Sequence, residues 1–240
     1  LFCTSAGRGV RLFPAGRVRD ELRIIREAGI RDVRVLDRTF NDEEPRALEM
    51  LDLFRETAPD LRFHLELDPV RATPALATAL GRFAPGHLHL EVGIQTLDGA
   101  AMRACGRRGS PDAVLDGLRR LRRVAGVAIH ADLLAGLPGV TWERLVQDLG
   151  TLTAEGVDEI QLELLKLLPG TRLEAMAERL GLVAAPRPPY DLLRTPACSA
   201  ADLWRAARLG RVVDGFYNVP PLRSLVRTAY GRTCRSPLPP

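Results

Sequence analysis

Four short stretches of the sequence each carry two polar side chains separated by one apolar residue. Alternate residues of a β-strand point to the same face, so the members of each pair would project together, about 7 Å apart along the strand. Imidazole, carboxylate and amide groups can hold metal ions, hydroxyl groups or ligand cations. We therefore predict one polar face built by successive strands. The pairs are His64 and Glu66, His89 and Glu91, His130 and Asp132, and Gln161 and Glu163.

Such a face is unusual in a parallel sheet, whose strands are normally apolar on both sides because helices cover them. An unpaired carboxylate in an apolar interior costs several kcal/mol or shifts its pKa. The repetition on four strands predicts a polar cavity, with its site built by residues at the carboxyl ends of the strands. An antiparallel sheet with one solvated face is the alternative. The residues expected on loops after strands are Asp37, Glu66, Asp68, Gln95, Asp132 and Glu163.

Strand and helix patterns alternate along the chain and must position these side chains. Apolar alternation predicts strands over 31–37, 61–67, 87–94, 127–134 and 158–165. The intervening stretches have helical periodicity, and Asn41 is expected to cap a helix that reaches about Thr57, with Glu44 three residues after the cap. Short connections between alternating elements predict an α/β fold with a parallel sheet, a complete or partial (β/α) barrel.

The pattern changes near residue 184, where several prolines interrupt the chain. A helix is expected over 172–182, and further helices near 199–212 and 220–230. We predict a barrel domain over 1–184 and a helical C-terminal extension over 185–240.

Two glycine-containing tetrapeptides end successive predicted strands: Gly93-Ile94-Gln95-Thr96 and Gly136-Leu137-Pro138-Gly139. Glycine lets the backbone approach a ligand closely and adopt a positive φ. Each tetrapeptide lies beside a polar strand residue, which predicts a ligand site at these turns.

Composition excludes several classes of protein. The chain has a net charge of +4, but its 34 basic residues, with Lys166 the only lysine, are scattered, and aromatic residues make up only 5%. That pattern argues against a nucleic-acid surface with stacking platforms. No apolar run approaches the roughly 18 residues of a membrane span. Four distant cysteines are no disulfide framework and favour a reducing, cytoplasmic compartment.

Four stretches of this chain resemble the radical S-adenosylmethionine (SAM) superfamily. They are Glu66-Leu67-Asp68-Pro69, Gly93-Ile94-Gln95-Thr96 with Gly106-Arg107, the run from Asp132 to Gly139, and Phe2-Cys3. A later segment from Leu164 to Thr171, followed by Pro188-Pro189-Tyr190, is similar to a subgroup that often follows a B12-binding domain. The resemblance covers roughly residues 1–190.

The resemblance implies a partial (β/α) barrel lacking its first strand and a [4Fe–4S] cluster on a CxxxCxxC loop. Cys3 would be the last of its three cysteines, so we expect the chain to begin inside the motif and to be inactive by itself. The family reductively cleaves SAM to start radical chemistry, here on a small-molecule or unknown substrate, with electrons from a donor such as a flavodoxin or ferredoxin. Cobalamin, held by a domain upstream, is left open. The SAM-pocket residues implied are Thr39, Glu66, Gln95, Arg107 and Asp132.

Two other functions compete with this interpretation. A metal-dependent barrel hydrolase could use His64, His89 and His130 with the nearby carboxylates to hold Zn²⁺ and activate water. These histidines precede the carboxylates on each strand and lack HExxH spacing. A non-catalytic domain could use an arginine-rich face to bind acidic groups or RNA, but it would not require polar pairs directed inward.

Overall fold

The computed structural model describes Phe2 and residues 11–233 of the chain. Its main sheet has five parallel strands in the order β1-β2-β3-β4-β5, so the order in space follows the order in sequence. Helices separate the strands, as in a partial (β/α) barrel. The predicted α/β fold is confirmed, and the antiparallel alternative is wrong. The strands are β1 (Asp32–Arg34), β2 (Arg62–Leu67), β3 (Leu88–Gln95), β4 (Val127–Ala135) and β5 (Glu159–Leu164).

Strand β3 shows how alternation in the sequence produces two different faces. Leu88, Leu90, Val92 and Ile94 lie along one face and are each at most 2% exposed. The residues between them are only half-buried. Burying the aliphatic side chains stabilises this face, and the other face stays available to polar groups.

The register between β2 and β3 aligns their polar pairs. His64 lies opposite His89, and Glu66 lies opposite Glu91. Residues opposite each other in register point to the same face of a sheet, so the like residues form two short rows. The polar face predicted from the spacing is therefore present on these two strands.

Nine α-helices lie within the described residues. Phe54 of the second helix stacks on Phe63 of β2, with ring centroids 4.6 Å apart, which packs this helix onto the apolar face of the strand. The helices are α1 (Ala15–Glu27), α2 (Glu44–Thr57), α3 (Pro74–Leu80), α4 (Gly99–Ala104), α5 (Pro111–Arg122), α6 (Trp142–Glu155), α7 (Arg172–Ala175), α8 (Ala200–Val212) and α9 (Pro220–Thr233).

Helix α2 begins later than the sequence predicts. Its first residue is Glu44, and Glu43 rather than Asn41 holds the capping position. The Asn41 amide instead bonds the backbone of Asp68, so it is not available to the helix. The prediction that Asn41 caps this helix is therefore wrong.

Helix α5 packs closely against the segment that follows β2. A β-carbon added at Gly117 would lie 1.8 Å from the carbonyl oxygen of Pro69. Only glycine fits at this contact, because the opposing atom belongs to the backbone and no rotamer change can move it.

The chain after β5 differs in part from the prediction. Helix α7 ends at Ala175 instead of continuing to residue 182, because hydrogen bonds to the third preceding residue follow, as from the Met176 N–H to the Leu173 carbonyl. A short antiparallel hairpin, β6 (Val183–Ala184) with β7 (Leu192–Arg194), was not predicted. Helices α8 and α9 confirm the helical C-terminal extension of the fold, while its boundary as a separate domain stays a prediction.

The described residues divide into two compact units. The N-terminal unit comprises residues 11–93 and 112–130, and the C-terminal unit comprises Phe2 and residues 94–111 and 131–233. Within these ranges, no helix is both long enough and apolar enough to cross a lipid bilayer.

Candidate functional site

Glu66 is a half-buried carboxylate on β2 in the N-terminal unit. Its register partner Glu91 is already engaged, since Glu91 Oε2 lies 2.8 Å from His64 Nε2 and 2.5 Å from Arg34 Nη2. Among the described side chains, none forms an ion pair or hydrogen bond with the Glu66 carboxylate. Glu66 is therefore the member of this carboxylate pair that remains available to a ligand.

The surroundings of Glu66 disfavour its ionised form. Burial is the main cause that raises the pKa of Glu66, and the negative charge of Glu91 raises this pKa further. The positive charges of Arg38 and Arg34 partly offset the rise. A ligand that brings a cation or hydroxyl donors would stabilise the carboxylate.

The loop after β1 is fastened to the end of β2. Asn41 is 2% exposed, and its side-chain amide donates to the Asp68 carbonyl and accepts from the Asp68 N–H, both at 2.9 Å. The Phe40 N–H donates to the carbonyl of Glu66 at 2.8 Å. These bonds bring the Thr39 segment next to Glu66. The Thr39 hydroxyl itself donates to the Arg38 carbonyl at 2.8 Å.

Gln95 lies in a strained turn at the end of β3, in the C-terminal unit. Its φ is 68°, and the Thr96 N–H donates to the Ile94 carbonyl at 2.9 Å, which closes a three-residue γ-turn around Gln95. A positive φ at a non-glycine residue costs on the order of 1–3 kcal/mol and persists only where the surroundings impose it. Such strain is common where a side chain or backbone group must be aimed at a ligand.

Asp148 of α6 is a buried residue at this turn that the sequence analysis missed. Its Oδ2 accepts from the Thr96 hydroxyl at 2.7 Å and from the Leu97 N–H at 2.9 Å. Within the sequence, Asp148 looks like an ordinary polar residue of an amphipathic helix. Its complete burial on that helix is the signal, and only the structure reveals it.

Arg107 and Asp132 also lie in the C-terminal unit. Arg107 follows α4, and its N–H donates to the Met102 carbonyl at 2.9 Å, with a half-buried side chain. Asp132 is half-buried between Ala131 and Leu133, both fully buried.

Several predicted site residues are inside strands rather than on the loops after them. Asp132 lies within β4, Glu66 within β2 and Glu163 within β5, and Gln95 is the last residue of β3. Ladder hydrogen bonds and buried neighbours continue these strands past the polar residues. Asp37 and Asp68 do follow their strands, as predicted.

The three histidines of the hydrolase interpretation lie in a row on neighbouring strands. Ring centroids are 4.8 Å apart between His64 and His89 and 5.9 Å apart between His89 and His130. The row fulfils the expectation that they share a face. His64 is engaged with Glu91, which gives this imidazole a partner without a metal.

The described cysteines do not suit an iron–sulfur cluster. Cys105 and Cys198 are both buried, and burial raises the pKa of each thiol, that of Cys198 to about 11. The Cys198 thiol donates to the Val140 carbonyl at 3.2 Å. Cluster ligands are closely spaced thiolates, and neither residue provides one. Cys3, the predicted cluster ligand, lies outside the described residues.

Comparisons with known proteins agree with the fold. A 129-residue stretch is 33% identical to the mouse mitochondrial protein "Radical S-adenosyl methionine domain-containing protein 1" and covers 54% of this chain and 28% of that protein. The radical SAM methyltransferase TsrM from Kitasatospora setae, solved with cobalamin and a [4Fe–4S] cluster, aligns with a TM-score of 0.59 and 22% identity over 72% of this chain and 33% of its own. Coproporphyrinogen III oxidase from Escherichia coli, a radical SAM enzyme, aligns with a TM-score of 0.54 and 16% identity over 86% of this chain and 48% of its own.

The chain therefore spans less than half the length of each of these three proteins. The family model of the Radical SAM superfamily matches residues 1–152, which include the segments carrying Glu66, Gln95, Arg107 and Asp132. On this match, and with the fold as described, the chain belongs to the Radical SAM superfamily.

Proposed function

We propose that this chain is the SAM-binding core of a radical SAM enzyme that cleaves SAM reductively. The observation that carries the proposal is the Glu66 carboxylate, which is half-buried, has a raised pKa and has no partner among the described side chains. When bound, a [4Fe–4S] cluster supplies the electron for SAM cleavage, and Cys3 is its proposed ligand in this chain. The described cysteines do not fit that group, so no step is assigned to them.

The proposed pocket residues have the chemistry that SAM requires. Carboxylates such as Glu66 and Asp132 suit ribose hydroxyls and the ammonium or sulfonium charge. Arg107 suits the methionyl carboxylate through paired hydrogen bonds. Gln95, aimed by its turn, offers an amide donor and acceptor. Thr39 is the weakest fit, because its hydroxyl already donates to the backbone.

Replacing Glu66 tests the proposal directly. We expect Glu66→Gln to weaken SAM binding about 10-fold or more, because the ligand loses a charge-assisted hydrogen bond worth about 1.5–3 kcal/mol. Equilibrium dialysis against labelled SAM measures the affinity of a form that carries all three cysteines of the CxxxCxxC motif and has been reconstituted anaerobically. Glu56→Gln on the exposed face of α2 is the matched control. An unchanged affinity for Glu66→Gln, or no SAM binding by the wild-type protein, contradicts the proposal.

The substrate and partners are proposed more coarsely. A low-potential reductant, such as a flavodoxin or ferredoxin, would supply the electron, and the substrate is a small molecule or another group that donates a hydrogen atom. The likeness to TsrM supports testing cobalamin, which that protein binds. A cytoplasmic location and the absence of a nucleic-acid partner stay predictions.

The row of His64, His89 and His130 supports a test of the hydrolase as second candidate. Metal analysis of the purified protein separates the two functions. Iron with sulfide supports the radical SAM function, whereas stoichiometric zinc without iron supports the hydrolase.

A further inference from the structure

The strained turn at Gln95 is held from one direction by a single buried carboxylate. Asp148 is fully buried in α6, and its Oδ2 accepts from both the Thr96 hydroxyl and the Leu97 N–H, the two residues that directly follow Gln95. A turn with a positive φ relaxes unless its flanks are fixed. These two hydrogen bonds fix the C-terminal flank of the turn.

The same network continues toward a second proposed pocket residue. Thr96 is 1% exposed, and its hydroxyl accepts from the Asp98 N–H at 3.0 Å. The Asp98 carboxylate caps α4 by accepting from the Ala101 N–H at 2.8 Å. Arg107 follows this helix and is bonded to it through Met102. One chain of hydrogen bonds thus connects Asp148 with the segments that carry Gln95 and Arg107.

Asp148 is a fully buried acidic residue, and it forms an ion pair with an arginine of the same helix. Arg144, one turn earlier, places Nη2 2.6 Å from Asp148 Oδ1. Burying a carboxylate costs folding free energy unless the group is paired and hydrogen-bonded. Here Oδ1 is paired with Arg144, and Oδ2 accepts two hydrogen bonds. Hydrogen bonds to an ionised acceptor are shorter and stronger than neutral ones, which suits an anchor that must oppose backbone strain.

We infer that Asp148 is a positioning residue for SAM binding, which acts through Thr96 to hold Gln95 in its strained turn. The inference rests on the proposed function. Asp148 belongs to α6 and exerts its effect through the turn, without contact with the ligand. The Thr96 hydroxyl is the link that a substitution can remove while leaving the buried charge pair in place.

Thr96→Val removes the hydroxyl at nearly constant volume and tests the inference by affinity. We expect the dissociation constant for SAM to rise about 10-fold, with Thr96→Ser restoring it, because serine retains the hydroxyl. In a Gln95→Ala background the same Thr96→Val substitution should change the affinity by less than about 2-fold, because the residue it positions is gone. A purely structural role would lower the unfolding midpoint without this dependence on Gln95.

A second experiment needs no ligand, because it measures the backbone strain at Gln95 through the unfolding midpoint. Glycine adopts a φ of 68° freely, so we expect Gln95→Gly to raise the unfolding midpoint of the ligand-free protein by about 2–4 °C. The gain should disappear in an Asp148→Asn background, where the weakened anchor lets the turn relax. If Asp148→Asn does not fold, Thr96→Val serves as the background for the same comparison.

The outcomes separate the two proposals. Wild-type protein that fails to bind SAM overturns the proposed function. Wild-type protein that binds SAM, with affinity unchanged in Thr96→Val or equally reduced with and without Gln95, overturns only the positioning role. An equal gain from Gln95→Gly in both backgrounds also overturns it, since Asp148 would then not hold the strain.

Discussion

At the scale of single residues, the two aligned carboxylates of β2 and β3 have different tasks. Glu91 contacts Arg34 and His64, whereas Glu66, opposite it in register, has no such partner among the described side chains. A protein that keeps such a group sacrifices stability for a binding site, as functional sites often do. Because the pKa of Glu66 is raised, its carboxylate should lower the stability of the ligand-free protein at neutral pH, and this effect can be measured.

Glu66→Gln should stabilise the ligand-free protein at neutral pH, in contrast to its expected loss of SAM binding. A folded-state pKa above the ordinary value of 4.5 means that the folded protein holds this proton more tightly than the unfolded chain. The folded state therefore loses stability as the pH rises from the ordinary pKa to the raised pKa of Glu66. The neutral amide of glutamine avoids this loss. We expect a gain on the order of 1 kcal/mol at neutral pH that vanishes below the ordinary pKa.

Urea unfolding of the wild type and Glu66→Gln across this pH range measures the difference. Glu56→Gln, on an exposed part of α2, should show no such pH-dependent gain. If Glu66→Gln is less stable than the wild type at neutral pH, a contact must stabilise the Glu66 carboxylate. The carboxylate would then not be a group that burial destabilises and that is available to a ligand.

At the scale of elements, close packing behind the polar strands determines where they can carry a ligand. Helix α5 reaches the Pro69 carbonyl through Gly117, directly after the segment of Glu66 and Asp68. The bonds of Asn41 fasten the preceding loop to the same segment. The end of β2 is thus fixed by both a helix and a loop, which is the rigid support that a binding side chain needs.

Gly117→Ala should destabilise the protein by about 3 kcal/mol or more, at the upper end of overpacking, because the added carbon meets backbone that cannot rotate away. Gly16→Ala is the control: it lies in α1, where an added β-carbon meets no atom within 4 Å. Alanine there should be neutral or stabilising by up to about 1 kcal/mol. Thermal and urea unfolding compare the two, and equal effects would refute the packing argument.

At the scale of the whole molecule, the positive charge is dispersed in local ion pairs. Arg62 pairs with Asp32 at 2.6 Å, and Arg17 pairs with Glu21 at 2.8 Å, all of them exposed. Such pairs contribute little stability, but they neutralise the arginines where they stand. The excess of arginine therefore does not by itself indicate a phosphate-binding face.

The cysteines give a prediction at the same scale. In a form that carries all three cysteines of the CxxxCxxC motif and has been reconstituted anaerobically, Cys3→Ser should abolish bound iron and sulfide. Cys105→Ser and Cys198→Ser should leave both unchanged, because their thiols are buried and their pKa values are raised. Iron and sulfide analysis measures the content of each variant. Loss of iron from Cys198→Ser, with its fold intact, would contradict the assignment.

The amino-acid sequence by itself determined the five strands of the main sheet, their polar faces and the family. Strand β2 was predicted over 61–67 and is observed over Arg62–Leu67, because alternating apolar residues can bury one face only as a strand. The family motifs are short runs of consecutive residues, so they too can be identified without a structure.

Only the tertiary structure decided which polar groups meet. Asp148 and Thr96 are 52 positions apart, and Asn41 and Asp68 are 27 apart, so no local pattern links them. The Gln95 turn and the difference between Glu66 and Glu91 depend on such contacts as well. Hydrogen bonds across these separations form only once the chain has packed, and for that reason the strain and charge of the site had to be found in the folded molecule.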